Sequence, residues 1–175
     1  MHRFGNRRAR RLQTLVVMIS TWFVLVAPIG QEAAGGSLSL TISAPKGEFN
    51  AREEIKLLVS LKNSDAQLVT IVQRSHWLNY TLSATDPNGE VLPETLYSTE
   101  RKDAAEAGYL AFRQVKPGEE VAETLDLDKM FERKTPGVYK IRAQRWVSRT
   151  RTMEDPFLIT SNELNLRIVP ATQDQ

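Results

Sequence analysis

The sequence predicts an all-β protein: an antiparallel β-sandwich of seven to nine short strands, preceded by an N-terminal export segment. Three observations lead there. From residue 37 onward, apolar and polar residues alternate in run after run, the period-two pattern of strands buried on one face. Clusters of Pro, Gly, Asn and Asp interrupt these runs at intervals of about eight to twelve residues. No stretch carries a long helical periodicity, and no repeat of solenoid or propeller length is present. The 175 residues suffice for one domain, placed at 37–170, with 171–175 as a short polar tail.

Residues 1–34 read as a signal peptide or an uncleaved N-terminal anchor. Arg3, Arg7, Arg8, Arg10 and Arg11 precede a stretch over 12–29 without charge, the order of a basic region followed by an apolar one. Cutting after Ala33 or Ala34 would place Gln31 or Glu32 where a small residue is preferred, and eighteen uncharged residues also suffice for a membrane span. The chain has 23 Lys and Arg against 21 Asp and Glu, net +2; without those five arginines, 18 face 21 and the balance is −3. A nucleic-acid partner is therefore not expected. There is no cysteine, which excludes disulfides, thiolate metal sites, cysteine nucleophiles and a lipoprotein anchor. About 140 remaining residues can bury enough surface to fold unassisted.

The first strand is expected at 37–43, where Leu38, Leu40 and Ile42 alternate with Ser and Thr until Pro45, Lys46 and Gly47 end it. Ile55, Leu57, Val59 and Leu61 make the second, with Leu58 as the apolar exception. Asn63, Ser64 and Asp65 turn the chain, because short polar side chains bond their own backbone. An apolar run at 68–72 is followed by Leu78, Tyr80, Leu82 and Ala84 in alternation. Asp86, Pro87, Asn88 and Gly89 form a hairpin turn, Pro presetting φ and Gly accepting positive φ, with Val91 and Leu92 starting the return strand. Residues 93–108 read as a solvated excursion, a helical turn or loop. Strands resume at 109–115 and 121–127 around the turn Lys116, Pro117, Gly118, Glu119. A helical turn is expected at 126–133, with Asp126 or Asp128 accepting its first N–H groups. The longest strand follows Pro136 and Gly137 and places Tyr139, Ile141, Ala143 and Val147 on one side; 157–159 and 164–168 close the set.

The succession Lys116-Pro117-Gly118-Glu119, Leu125-Asp126-Leu127, Pro136-Gly137-Val138-Tyr139 and Ser161-Asn162 resembles small exported bacterial immunoglobulin-like domains. It is similar to the domain of the BsuPI proteinase-inhibitor family and to propeptides of deuterolysin-type metalloproteases. The resemblance implies an immunoglobulin-like sandwich and, as an alternative function, a protease inhibitor or propeptide-like module. Independently of it, a Tyr following Pro-Gly just inside a strand can bury its ring while its hydroxyl bonds the preceding connection. Tyr139 is therefore read as a structural tyrosine corner.

The residues offer little for catalysis. His2 and His76 are the only histidines, so a zinc site of the usual kind lacks ligands. His76 beside Trp77 is a general base by type alone, and no serine lies in a nucleophile-elbow motif. Glu119, Glu120, Glu123, Asp126 and Asp128 lack the spacing of a calcium loop and read as a solvated surface, as does the pair Glu53 and Glu54. No glycine-rich phosphate loop is present. Asn79-Tyr80-Thr81 matches a glycosylation sequon, discounted because the alternation buries Tyr80. No metal, cofactor or catalytic residue is assigned.

One segment departs from a bland surface. If Tyr139, Ile141 and Ala143 face inward, then Lys140, Arg142, Gln144, Trp146 and Ser148 share the outer face. Trp146 would stand exposed among Arg142, Arg145, Arg149 and Arg151, the residue types enriched at binding hot spots. The opposing possibility is a bulge that turns Trp146 into the core. The leading expectation is a non-catalytic, exported module, periplasmic, surface-bound or secreted, that binds another protein or an envelope component. Contact with a membrane is expected only through the N-terminal segment, if it stays uncleaved; a small hydrolase with an unrecognised site is the remaining alternative.

Overall fold

A computed structural model describes residues 38–171 apart from 107, 109 and 134. The export segment or anchor expected at 1–34 and the end of the expected tail, 172–175, lie outside the described residues, as do the side chains of His76 and Trp77.

Two sheets face each other. Strands β1 (Leu38–Ser43), β3 (Lys56–Asn63) and β7 (Glu120–Asp126) form the smaller, in the order β1-β3-β7. The larger runs through β2 (Glu48–Asn50), β10 (Leu164–Val169), β8 (Gly137–Ser148), β4 (Val69–Gln73) and β6 (Ala111–Val115), with β5 (Thr81–Thr85) and β9 (Pro156–Thr160) also paired to β8. Every pairing is antiparallel except that of β2 with β10. The chain is thus an all-β, immunoglobulin-like sandwich. Its core is the set of inward alternation positions: Leu40 and Ile42, Leu57 and Val59, and Val121 and Leu125 on one sheet meet Ile71, Leu82, Ile141 and Leu166 on the other.

The twelve-residue β8 organises the larger sheet. β10 and β9 line successive halves of one edge, and β5 and β4 successive parts of the other. Between β9 and β10 the register slips by one residue, and Ser161 fills the slip: its N–H donates to the Ala143 carbonyl at 2.8 Å while its hydroxyl accepts from the Ala143 N–H at 2.9 Å. Asn162 then crosses to the smaller sheet, its Oδ1 accepting from the Ile42 N–H at 2.9 Å and its Nδ2 donating to the Ile42 carbonyl at 3.0 Å. One side-chain amide thereby satisfies both backbone groups of Ile42.

The turn residues have equally local causes. Gly137 has φ +143, and a Cβ there would lie 2.3 Å from Pro87 Cγ, so the 86–89 turn packs against a position only glycine can occupy. The Tyr139 ring is buried and its hydroxyl donates to the Thr135 carbonyl at 2.5 Å. Asn63 is fully buried, its Nδ2 donating to the carbonyls of Gln67 and Val115, both at 2.9 Å, which ties the turn after β3 to the end of β6.

Several expectations need correction. The alternation at 78–84 is not one strand: α1 (His76–Asn79) interrupts it and pairing with β8 begins at Thr81. The cause is Asn79, whose Oδ1 accepts from the Arg74 N–H at 2.8 Å and closes the excursion on itself. The 93–108 stretch holds an eleven-residue helix, α2 (Leu96–Glu106), capped by the Thr95 hydroxyl accepting from the Ser98 N–H at 3.0 Å. Val91 makes only an isolated bridge to Thr85 instead of starting a strand. α3 (Leu127–Met130) takes Leu127 from the preceding strand. Asp126 caps it without a side-chain bond, because its carboxylate is drawn to Lys56 and Lys129 at 3.0 and 3.3 Å; Asp128 instead accepts from the Ile55 N–H at 2.9 Å.

Candidate functional site

The excursion at α1 opens the sheet. On the β4/β5 edge of β8, Val147 pairs with Ile71 and Gln144 with Thr81, so Arg145 and Trp146 between them have no strand partner on that side. A cleft of about 400 Å³ fills this gap. Val72, Leu78, Trp146, Met153 and Pro156 supply apolar wall, and Arg74, Asn79, Thr81, Gln144 and Arg145 supply polar wall. Met153 adopts φ 60, a left-handed conformation unusual for a residue with a side chain, in the loop leading from β8 to β9.

Trp146 faces outward and is 54% exposed. It lies in a cross-strand row. Leu158 of β9 is its register partner; Val72 of β4, one step beyond the last β4–β8 pair, Ile71–Val147, faces it across the cleft; and Phe112 of β6 is the partner of Val72. Directly opposed residues share a face, so Phe112, Val72, Trp146 and Leu158 form an apolar band across four strands. Phe112 and Leu158 are 49% and 40% exposed. The outer face of an antiparallel sheet is ordinarily polar, which sets this band apart.

The arginines expected around Trp146 are distributed differently. Arg145 is buried, 2% exposed, since β8 keeps its alternation and an odd-numbered position there faces the interior. It does not share the outer surface with Trp146. Its guanidinium sits 4.5 Å from the centre of the Tyr80 ring, its Nη2 donates to the Val72 carbonyl at 3.0 Å, and its Nη1 is 3.7 Å from Glu123 of the facing sheet. Its Nε and Nη1 have no hydrogen-bond acceptor. Glu123 occupies the inward row of β7 between Val121 and Leu125, so each sheet contributes one charge to the same end of the interior. Asn79 Nδ2 donates to both Glu123 oxygens, at 2.9 and 3.1 Å. Burial raises the Tyr80 hydroxyl above its ordinary pKa, opposed by the Arg145 charge beside it.

Arg142 stays on the outer face and pairs with Glu163 at 3.0 Å. Arg149 is bound to Asp65 and holds that carboxyl below its usual range. Arg151 is exposed in the turn after β8, and Ser148, expected outward, is fully buried with its hydroxyl bonded to Thr150 at 2.9 Å. The carboxylates read as a solvated surface are each engaged: Glu119 by Arg113 at 2.8 Å, Glu120 by Ser60, Glu123 by Asn79 and Arg145, Asp126 by two lysines, and Asp128 by Arg133. Sequence reasoning missed Phe112, Val72, Leu158 and Arg74. Their parity was visible, but their neighbours depend on register. Arg145 and Glu123 did carry a signal, a charge at an inward position of an apolar strand.

Among the described residues no three His, Asp or Glu side chains converge as metal ligands, and no helix is long and apolar enough to cross a membrane. No protein-family model matches the chain, and no curated protein matches it significantly. Solved structures are similar at low identity. The CARDB domain of a Pyrococcus furiosus protein is 15% identical over 78% of this chain and 90% of that one, with a TM-score of 0.40. A protein described as ApaA from Bordetella pertussis is 13% identical over 77% and 95%, with a TM-score of 0.41. A β-glucosidase from Erythrobacter marinus is 15% identical over 77% of this chain but 16% of its own length, with a TM-score of 0.40. The sandwich assignment here rests on the strand pairing itself.

Proposed function

We propose that this chain is a non-catalytic, exported binding module that docks a partner protein on the outer face of its larger sheet. The observation that carries the reading is the band Phe112, Val72, Trp146 and Leu158, flanked by the cleft at α1. A half-exposed Trp in a row of large apolar side chains offers rigid contact area at low entropic cost, the composition of an interface anchor. Export is supported by the order of arginines and apolar residues at the N-terminus.

The test is site-specific photo-crosslinking in the native envelope, with the crosslinker at Phe112 or Leu158. A discrete adduct is expected that disappears in the Trp146→Ala variant while the variant keeps its cooperative unfolding. An adduct pattern unchanged by Trp146→Ala, or none above that from a crosslinker on the opposite sheet at Leu58, would refute the docking face.

A further inference from the structure

The cleft beside Trp146 has a composition that points to a ligand. Two of its walls carry arginine, Arg74 and Arg145, and among the described residues no Asp or Glu lines it. Arg74 is exposed, and no carboxylate pairs with its guanidinium among the described residues. Arg145 stands behind the wall with two buried N–H-bearing nitrogens lacking an acceptor, and among the described residues the one carboxylate paired with it is Glu123 at 3.7 Å, already accepting twice from Asn79. A buried cation left partly uncompensated projects its field into the adjoining low-dielectric space, where an anion is stabilised more strongly than at an open surface. Asn79, Thr81 and Gln144 add uncharged polar wall, and Val72, Leu78, Trp146, Met153 and Pro156 make the rest apolar.

We infer that this cleft receives an acidic side chain from an apolar, extended segment of the partner protein. The carboxylate pairs directly with Arg74, the Arg145 charge behind the wall reinforces it, and the flanking apolar side chains lie on Trp146 and Met153. The inference rests on the docking-face reading. An internal acid is specified, not a chain terminus, because the apolar band runs on from the cleft in both directions, to Phe112 on one side and Leu158 on the other. A segment lying along it therefore continues past the anion at both ends.

The probes are capped pentapeptides with a central glutamate flanked by leucine and phenylalanine, the same peptides with central glutamine, and glutamine peptides with a free C-terminal carboxylate. Binding is followed in the full chain through the backbone amide resonances of Thr81 and Gln144, which stay readable in Trp146→Ala, and also through the Trp146 indole N–H, assigned with the Trp146→Phe variant. The glutamate peptide should bind at least about tenfold more tightly than the glutamine peptide, the scale of a charge-assisted hydrogen bond. Arg74→Gln should remove that preference, and added salt should weaken only the glutamate peptide. Equal affinity for glutamate and glutamine, a preference that survives Arg74→Gln, stronger binding of the free-terminus peptide, or no binding of any peptide at millimolar concentration would each overturn the inference. If glutamate and glutamine peptides bind equally but both are lost in Trp146→Ala, the anion site falls and the docking face stands. If the glutamate preference depends on Arg74 but Trp146→Ala has no effect, the docking face falls instead.

Discussion

Replacing Glu123 by Gln should destabilise the sandwich more than replacing Arg145 by Met, although Arg145 is by far the more buried. Two unit charges 3.7 Å apart attract by about 4.5 kcal/mol at an effective dielectric of about 20. The Glu123 side chain is 21% exposed, and Gln keeps the shape and one acceptor for Asn79, so about half of that should appear as lost stability. Glu123→Gln should therefore cost about 2–3 kcal/mol, because it leaves the Arg145 charge buried and unpaired, with its own Nε and Nη1 already lacking acceptors. Arg145→Met removes that uncompensated cation, fills a similar volume and leaves Glu123 with Asn79 and some solvent. It should cost about 1.5 kcal/mol or less through loss of the Val72 hydrogen bond and the Tyr80 contact. In the double variant Glu123→Gln should cost almost nothing further, a coupling of at least about 1 kcal/mol. Urea denaturation with unchanged slopes measures all four proteins. Additive effects, or a Glu123→Gln cost below about 0.5 kcal/mol, would show that the two charges do not hold each other across the sheets.

Gly137→Ala should destabilise by about 2–5 kcal/mol, from positive φ and from the Cβ meeting Pro87; Pro87→Gly in the same chain should restore the steric part, and thermal denaturation that leaves the single variant unchanged would contradict the close approach. Asn162→Ala removes both hydrogen bonds to Ile42 and should cost about 1–3 kcal/mol; amide exchange at Ile42 should accelerate, and unchanged exchange would count against the cross-sheet tie. Four carboxyls lie below their ordinary pKa: Glu53 through Lys46, Asp65 through Arg149, Glu119 through the Lys116 N–H and Arg113, and Asp126, where burial opposes but Lys56 and Lys129 outweigh it. Groups lowered by folding contribute stability above the ordinary carboxyl range that is lost as pH falls through the lowered values, so the melting temperature should drop below about pH 4.5. A melting temperature constant from pH 5 to pH 3 would contradict these pairings.

Much of the fold is legible in the chain because strand parity and turn chemistry are local. Leu38 to Ile42, Leu57 to Leu61 and Tyr139 to Val147 announce their buried faces by alternation, and Pro87, Gly118 and Gly137 mark turns through backbone preferences that need no partner. The outward direction of Trp146 follows from the same parity. α1 escaped because Leu78 and Tyr80 keep a period-two spacing that a short helical excursion shares by coincidence. α2 escaped because its apolar residues form no stripe; among its described side chains only Ser98 is buried.

By itself, then, the sequence determined most of the strands, most of the turns, and that Trp146 falls on the outward parity of its strand, while its exposure was decided by the absence of a bulge there in the folded sheet. Only the tertiary structure decided that Arg145 faces Glu123 and Tyr80 instead of solvent, that Phe112, Val72 and Leu158 extend Trp146 into a band, and that Arg74 meets it across a cleft. The physical reason is register. Parity is a property of one strand, whereas the neighbours of a side chain are set by hydrogen-bonded pairing between residues far apart in the chain, and a slip of one residue would replace every one of them.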